Sequence, residues 1–584
     1  MKSVSGNAFD YRLLKRILKY VAPYKAMFYA TSFLSIALAI VSIVRPLLIQ
    51  YAVNKNIAQK DELGLIEITI WLVVVLVFET ILQYIFTYYG NLVGQNIIKD
   101  IRNEVFQHVL SFKLKYYDQT PIGRLVTRTV SDIETIAEMF SDGILVILGD
   151  LLKIFAAVLC MFYINWDLAL ITLLPIPLLM IGTSIFKRVI KNAFQDVRNQ
   201  VSLLNTFVQE HVTGMSIVQI FNREKIESEL FSDINKKHRN AHIKTVWAYS
   251  VFFPLVEILS ALSVSLLVWY GFKEISLDIA SPGEIFSFTF FIHMLYRPIR
   301  QLADRFNSLQ MGMVSSERVF NVLDTRANIN DNGEIKPKKL NGDITFKNVW
   351  FAYNDEDWVL KDISFTIKKG QSLALVGATG AGKSSVINLL GRYYEINKGN
   401  ILIDDININE MKLHDLRKSM AVVLQDVFLF SDTVFNNITL YSDDITEEQV
   451  IEASKKIGAH DFISNLPGGY QYNVKERGAL LSVGQRQLIS FIRAYVHNPR
   501  ILILDEATSS IDSESEALIK HATEILTQNT TSIIVAHRLS TIQNADKILV
   551  IDKGNVVEEG THIELLKLNG HYKKLYNYQF DDVV

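Results

Sequence analysis

At 584 residues, with 49% hydrophobic residues, 21% charged residues and a mean hydropathy of +0.19, the chain is too apolar for a wholly soluble protein and too charged for a bare membrane bundle. A net charge of −2 argues against a strongly basic nucleic-acid binder, and 11 prolines and 28 glycines exclude collagen-like or disordered composition. The single cysteine, Cys160, excludes an intrachain disulfide and a cysteine-cluster metal site; it sits in an apolar run as a small hydrophobe.

The first predicted element is Tyr11–Tyr20 (YRLLKRILKY), which alternates bases with Leu and Ile at helical spacing. That pattern fits an amphipathic helix on a membrane surface, or the cytosolic start of the first span. Apolar runs follow at Ala26–Ile49, Leu63–Gly90, Gly143–Tyr163, Leu168–Phe186 and Phe252–Gly271, with a shorter one at Ile285–Leu295. Most approach or exceed the roughly 20 residues that cross a bilayer as helix. The last crosses only if its helix continues through Arg297 and Pro298. Six spans are expected. The first is too long for a signal peptide and lacks a small-residue cleavage pattern.

Charge sets the expected orientation. Lys2, Arg12, Lys15, Arg16, Lys19 and Lys25 precede the first span, against Asp10 alone. The linkers after spans two and four are long and rich in Lys and Arg. The short links after spans one, three and five carry no clear basic excess. The N-terminus and the C-terminal half are therefore expected inside. Asn91–Leu114 and Arg188–His242 mix apolar and charged residues without proline, so spans two through five should continue as helices into the cytosol, with turn-forming breaks at Tyr117–Arg124 and Glu210–Ser216. Arg45, Glu79, Glu257 and His293 fall inside spans. Cavity lining or an interhelix pair is the ordinary explanation for such residues, with substrate or proton handling as the functional one.

From Asp343 the texture changes to short β-rich runs, Thr345–Val349 and Ser364–Ile367. Ser372–Val376 is a buried-strand pattern that leads into Gly377-Ala378-Thr379-Gly380-Ala381-Gly382-Lys383-Ser384, a complete G-x-x-x-x-G-K-S, with helix expected over Ser385–Arg392. Strand before and helix after is the context in which this motif binds phosphate. The glycines free backbone N–H groups to wrap phosphates, Lys383 reaches the β/γ-phosphates, and Ser384 offers an oxygen to Mg²⁺. The helix start adds a favourable dipole. A second buried strand, Arg500–Leu504, ends in Asp505-Glu506. Asp505 is placed to hold Mg²⁺, and Glu506 to orient or deprotonate an attacking water. A third strand, Ser532–Ala536, ends at His537.

These residues in this order resemble ATP-binding-cassette exporters whose transmembrane and nucleotide-binding parts share one chain. Leu481-Ser482-Val483-Gly484-Gln485 is similar to the family signature LSGGQ, and Arg486 follows as it does there. The resemblance implies an all-α transmembrane six-helix domain followed by an α/β P-loop nucleotide-binding domain. Its expected bounds are an elbow helix over 1–25, a transmembrane domain over 26–320, a linker over 321–340 and the nucleotide-binding domain over 341–584. It implies that Tyr353 stacks on adenine, and that Ser385 belongs with residues 377–384 in the ATP cradle. It also implies that Gln425 joins Ser384 and Asp505 around Mg²⁺ and takes part in catalysis with Glu506 and His537. Ser482, Gly484, Gln485 and the D-loop Asp512 would meet ATP held by a second copy or a different half-transporter, since one chain supplies half of each site. Tyr117–Arg124 and Glu210–Arg223 resemble the segments around the family's coupling helices.

The implied activity is ATP-driven export of a hydrophobic or amphipathic substrate, whether small molecule, lipid or peptide, across the cell membrane. It would use ATP and Mg²⁺, with the bilayer as a partner and no nucleic acid. A membrane-bound ATP-gated channel or regulator is the alternative, and intact Glu506 and His537 argue for turnover instead. A cargo-cleaving peptide exporter is disfavoured, because no protease domain precedes the surface helix and no Cys lies outside a span. One departure stands out. Val483 replaces the first glycine of the signature, and a β-branched side chain narrows the backbone choices that glycine allows.

Overall fold

The computed structural model of the chain describes residues 11–329, 331–337, 340–354, 356–505, 513–536 and 539–580. They form two compact units. One comprises residues up to Leu110 together with Ile122–Arg326; the other comprises Ser111–Pro121 together with Ala327 onward.

The first unit is helical. Tyr11–Lys19 (α1) buries Ile17, while Arg16 bonds both carboxylate oxygens of Asp324 at 2.7 and 2.8 Å and lies 4.2 Å over the Phe320 ring. The basic stripe of this helix therefore meets protein as well as solvent. Lys25–Tyr51 (α2) and Glu62–Leu110 (α3) follow, then Leu114–Gln119 (α4), which belongs to the other unit. Ile122–Thr129 (α5) and Ser131–Glu138 (α6) lead through a wide helical turn at Met139–Ile144 into Leu145–Ile164 (α7).

The run Leu168–Phe186, expected as one span, is two helices. Trp166–Leu173 (α8) stops and Ile176–Thr213 (α9) begins at Pro175, which has no N–H to continue the ladder and fits best at a helix start. Asn165 caps α8 through its side chain, accepting from the N–H groups of Asp167 and Leu168. Met215–Ile220 (α10), Glu224–Ile275 (α11) and Pro282–Leu323 (α12) complete the unit.

Among the described residues, five segments are long and apolar enough to cross a membrane: Ala22–Ile57, Glu62–Leu110, Ile122–Ile164, Trp166–Thr213 and Glu224–Ile275. Only 6% of the apolar window of the second is buried within the chain, so most of that surface needs lipid or another protein. The sixth candidate, α12, does run unbroken through Arg297 and Pro298, but it is not one of these five. At 49, 38 and 52 residues, α3, α9 and α11 all extend well past a bilayer's thickness, as the polar continuation of their sequences predicts.

The second unit is α/β. Ile344–Ala352 (β1), Trp358–Ile367 (β2), Lys398–Ile403 (β4) and Ile406–Asn407 (β5) form an antiparallel sheet in the order β2-β1-β4-β5. Ser372–Val376 (β3), Met420–Val423 (β6), Ile501–Asp505 (β7), Thr531–Val535 (β8), Lys547–Asp552 (β9) and Asn555–Gly560 (β10) form the other, ordered β10-β9-β3-β8-β7-β6. All its pairs are parallel except β10 with β9. β3 alternates between two cores. Leu373 and Leu375 pack with Phe346 and Ile363 of the first sheet, while Ala374 and Val376 pack with Leu488 and Ile492 of a helix on the opposite face. A strand buried on both faces reads as the continuous apolar run SLALV.

Candidate functional site

β3, β8, β7 and β6 are parallel neighbours, so their carboxyl ends share one edge of the sheet, where ligands bind in open α/β folds. β3 delivers the glycine-rich turn, which passes into Lys383–Leu390 (α13). Gly380 has φ +83° and Gly382 φ +109°, left-handed conformations that residues with a Cβ rarely adopt. A Cβ on Gly382 would also meet Leu360 Cδ2 at 2.6 Å, and one on Gly377 would meet the Ile551 carbonyl at 2.2 Å. The turn is therefore drawn tightly against β2 and β9. Ala378, Thr379, Gly380 and Ser384 face solvent, while Ala381, Gly382, Lys383 and Ser385 are buried.

The Lys383 ammonium donates to the carbonyls of Gly377 (2.7 Å) and Ala378 (3.0 Å), so it lies inside the turn. Burial pushes its pKa below the usual ammonium range, and the nearby Asp505 carboxylate acts in the opposite sense. That electrostatic contact joins Lys383 to Asp505 at the end of β7. Asp505 pairs in register with Val535 at the end of β8. Glu506, Asp512 and His537 lie outside the described residues. Gln425 is exposed two residues beyond the end of β6, at the far side of β7 from the glycine-rich turn.

Tyr353, just past β1, is brought to the same place. Its hydroxyl is 3.0 Å from Ser385 Oγ, and its ring meets Tyr394 edge-on at 5.0 Å and Phe351 at 4.7 Å. Two contacts here had no signal in the sequence. Lys115 Nζ of α4 donates to the Tyr353 carbonyl at 2.7 Å, and the Tyr394 hydroxyl donates to Asp118 of α4. Both join residues more than two hundred positions apart, beyond the reach of any local pattern. They tie the first of the expected coupling segments to the residues around Tyr353.

Ser482, Val483, Gly484 and Gln485 form a separate constellation. Among the described residues, no hydrogen bond or ion pair joins them to the glycine-rich turn. Ser482 is the N-cap of the helix Val483–Val496, accepting from the Gln485 N–H at 3.1 Å, while Gln485 Oε1 accepts from the Ser482 N–H at 3.0 Å. This is the reciprocal cap of an S-x-x-Q sequence, a local role the signature resemblance did not bring out. It leaves the N–H groups of Val483 and Gly484 without an intrahelical acceptor. Val483 stands in the first helical turn, 48% exposed, and is absent from the residues with positive φ. Its backbone is one that a β-branched residue adopts, so the expected conformational restriction is not felt here.

In the transmembrane unit, Arg45 and Glu79 face each other at 3.8 Å, and Glu257 pairs with Arg300 at 2.7 Å. His293 is exposed. The sequence reading passed over Asp150 and Lys153, which lie within the third apolar run; Asp150 is 2.6 Å from Arg305.

Comparison with known proteins agrees with this division. Residues 28–299 match the family model described as the ABC transporter transmembrane region, and residues 360–509 match the model described as ABC transporter. The chain is 35% identical to the uncharacterized ABC transporter ATP-binding protein YknV of Bacillus subtilis, over 99% of this chain and 96% of that one. It is 35% identical to the ATP-dependent lipid A-core flippase of Syntrophus aciditrophicus, over 98% and 95%. It is 37% identical to the probable multidrug resistance ABC transporter ATP-binding/permease protein YheH of Bacillus subtilis, over 86% and 75%. The chain belongs to the ABC transporter family and is an ATP-hydrolysing membrane transporter, with its transmembrane region and its ATP-binding domain carried on one polypeptide.

Proposed function

We propose that the protein is an ATP-driven exporter of hydrophobic or amphipathic molecules, working as a dimer of half-transporters in the cell membrane with its N-terminus and ATP-binding domain in the cytosol. The observation that carries this reading is α4. A short helix lying between two stretches of the transmembrane unit is held in the ATP-binding unit by Lys115 and Asp118, beside Tyr353. A change around ATP therefore has a short mechanical route to the chain that leads into the membrane. Relatives named as a lipid A-core flippase and as a probable multidrug resistance transporter support a substrate with an apolar body.

In this reading α12 is the sixth crossing. Tyr353 receives the adenine ring. The N–H groups of residues 378–384 line the phosphates, and Lys383 turns from the loop carbonyls toward them. Glu506 takes the proton of the attacking water, and His537 and Gln425 position the reacting groups. The helix N-terminus at Ser482–Gln485, where Ser482 and Val483 are exposed, meets the phosphates bound by the partner, with Asp512 beside the interface. Mg²⁺ would be held by Ser384, Gln425 and Asp505, and would neutralise charge on the phosphates. Hydroxyl, amide and carboxylate oxygens are the hard donors this cation takes, and the position of Asp505 beside Lys383 fits the role. ATP held between two chains favours the closed arrangement by differential binding.

The test is reconstitution in liposomes with the ATP-binding domain outward. ATP-dependent accumulation of a fluorescent amphiphile inside the vesicles is the expected result. A current or leak that needs bound ATP but no hydrolysis would replace the exporter with an ATP-gated channel.

A further inference from the structure

A concentration of charge away from the ATP site lies in the transmembrane unit. A cavity of about 540 Å³ opens among α2, α3, α7 and α12. That volume falls in the range of small-molecule sites. Among the described residues its charged lining is Arg45, Glu79, Asp150, Lys153, Arg297 and Arg305, four bases against two acids. The two acids are engaged by Arg45 and Arg305. Lys153 and Arg297 have no ion pair of their own among the described residues. Both line the same cavity as Asp150 and are near enough to act on its charge, as Arg305 does. The excess positive charge is gathered at that end of the cavity.

Several polar atoms in the lining are buried without a hydrogen-bond partner: Ser35 Oγ, Arg45 Nε, Glu79 Oε2 and one terminal nitrogen of Arg305. The Arg305 nitrogen is close to Asp150 but poorly aligned as a donor. Ser35 is 2% exposed. Buried polar groups are ordinarily satisfied, so the unfilled donors among them, Ser35 Oγ, Arg45 Nε and the Arg305 nitrogen, call for an acceptor, while Glu79 Oε2 calls for a donor. Beside them stand apolar side chains, among them Leu38, Phe86 and Met294. Intramembrane charge is retained where it faces a cavity or a substrate.

We propose that this cavity binds the anionic headgroup of an amphiphile, of phosphate type, with Arg297 and Lys153 as the charges that select it and the neighbouring apolar wall taking the start of its hydrocarbon body. Guanidinium groups match the oxygens of a phosphate two at a time, and an ammonium adds an adaptable point charge. A neutral or cationic amphiphile leaves the excess charge uncompensated. This inference names the substrate class for the export reading and rests on it only where transport is concerned; binding stands by itself.

The experiment uses the full chain in nanodiscs of neutral phosphatidylcholine, without nucleotide. Binding of a single-chain lysophosphatidic acid is measured by native mass spectrometry or tryptophan fluorescence, against a lysophosphatidylcholine of the same chain and against inorganic phosphate. The phosphomonoester lipid should bind at least about tenfold more tightly than the zwitterionic one, the scale of one charge-assisted hydrogen bond. In Lys153→Gln/Arg297→Gln that preference should collapse while the zwitterionic affinity stays the same, and Arg297→Lys should keep most of it. A melting transition like the parent's confirms that the variants are folded. Equal affinity for the two lysolipids in the parent, or a preference that survives the double substitution, overturns the proposal. Inorganic phosphate competing at similar concentrations overturns its amphiphile part and leaves a simple anion site.

Uptake in proteoliposomes then separates the two readings. Selective binding without ATP-driven uptake of any amphiphile sinks export and spares the cavity. Uptake of neutral and anionic amphiphiles at equal rates does the reverse.

Discussion

In the ATP-binding domain, the groups expected to meet ATP sit within a few residues of strand ends. Lys383 follows β3 by seven positions, Asp505 ends β7 and Gln425 follows β6 by two. In the transmembrane unit, the charged groups around the cavity are spread from Arg45 to Arg305 and come from four helices. The first arrangement needs a buried parallel sheet and little else, because the strands themselves align their ends. The second depends on which face each long helix turns toward the others. One site is written locally, in short motifs at strand ends. The other is assembled by packing, and any one of its members looks like an isolated charge in an apolar run.

The sharpest way to break this comparison is at Glu506, whose role depends on sequence context alone. Glu506→Gln preserves shape and removes the proposed base, so ATP turnover should fall by about 10²–10⁴-fold with ATP still bound. Phosphate release measured beside nucleotide binding checks it. Hydrolysis at the parental rate would move the base to another residue and leave the local reading incomplete. Lys383→Ala comes next. The side chain is buried and already directed into the turn by Gly377 and Ala378, so its loss removes charge-assisted bonds to phosphate. ATP affinity should drop by about 10- to 100-fold, the equivalent of roughly 1.5–3 kcal/mol. An unchanged affinity would separate the glycine-rich turn from phosphate binding.

How far each region was legible follows from the same contrast. SLALV, ILIL and SIIVA could be placed as buried strands because both faces of each are covered, so composition alone marks them. Their bounds differ from the structure by a residue at most. The fourth apolar run was read through Pro175 as one helix because hydropathy does not register a missing N–H. Asp150 and Lys153 were passed over because two charges in a twenty-residue apolar run leave its average high. Nothing near Lys115 or Asp118 points to Tyr353 and Tyr394, since those contacts exist only once two distant stretches of chain are folded into one unit.

Tyr353 tests whether the local site also depends on such distant contacts. Base stacking on an aromatic ring contributes on the order of 1–3 kcal/mol, so Tyr353→Ala should raise the half-saturating ATP concentration by about 5- to 150-fold. Tyr353→Trp should hold it near the parental value. Tyr353→Phe keeps the ring and loses only the hydroxyl contact with Ser385, so its effect should be the smallest of the three. If Phe is as damaging as Ala, the hydroxyl and its link to the glycine-rich turn matter more than the ring, and stacking is the wrong description.

The smallest effect is expected at Val483. Its backbone is helical and its side chain is half exposed, so Val483→Gly releases no strain and uncovers little apolar surface. Glycine and valine differ by only a few tenths of a kcal/mol in helix propensity, and the thermal transition should barely move. Whatever the substitution does to hydrolysis must then come from the side chain itself, which stands between Ser482 and Gly484 where the helix presents its first N–H groups. If two identical chains form the working dimer, removing the isopropyl group should let those donors approach the partner's phosphates and raise ATP turnover of the chain expressed alone. Parental turnover from a stable homodimer would show that the side chain stands clear of the nucleotide, and that this departure from the family signature is silent. No homodimer at all would point instead to a second, different half-transporter, whose own phosphate loop would be the one that Val483 faces.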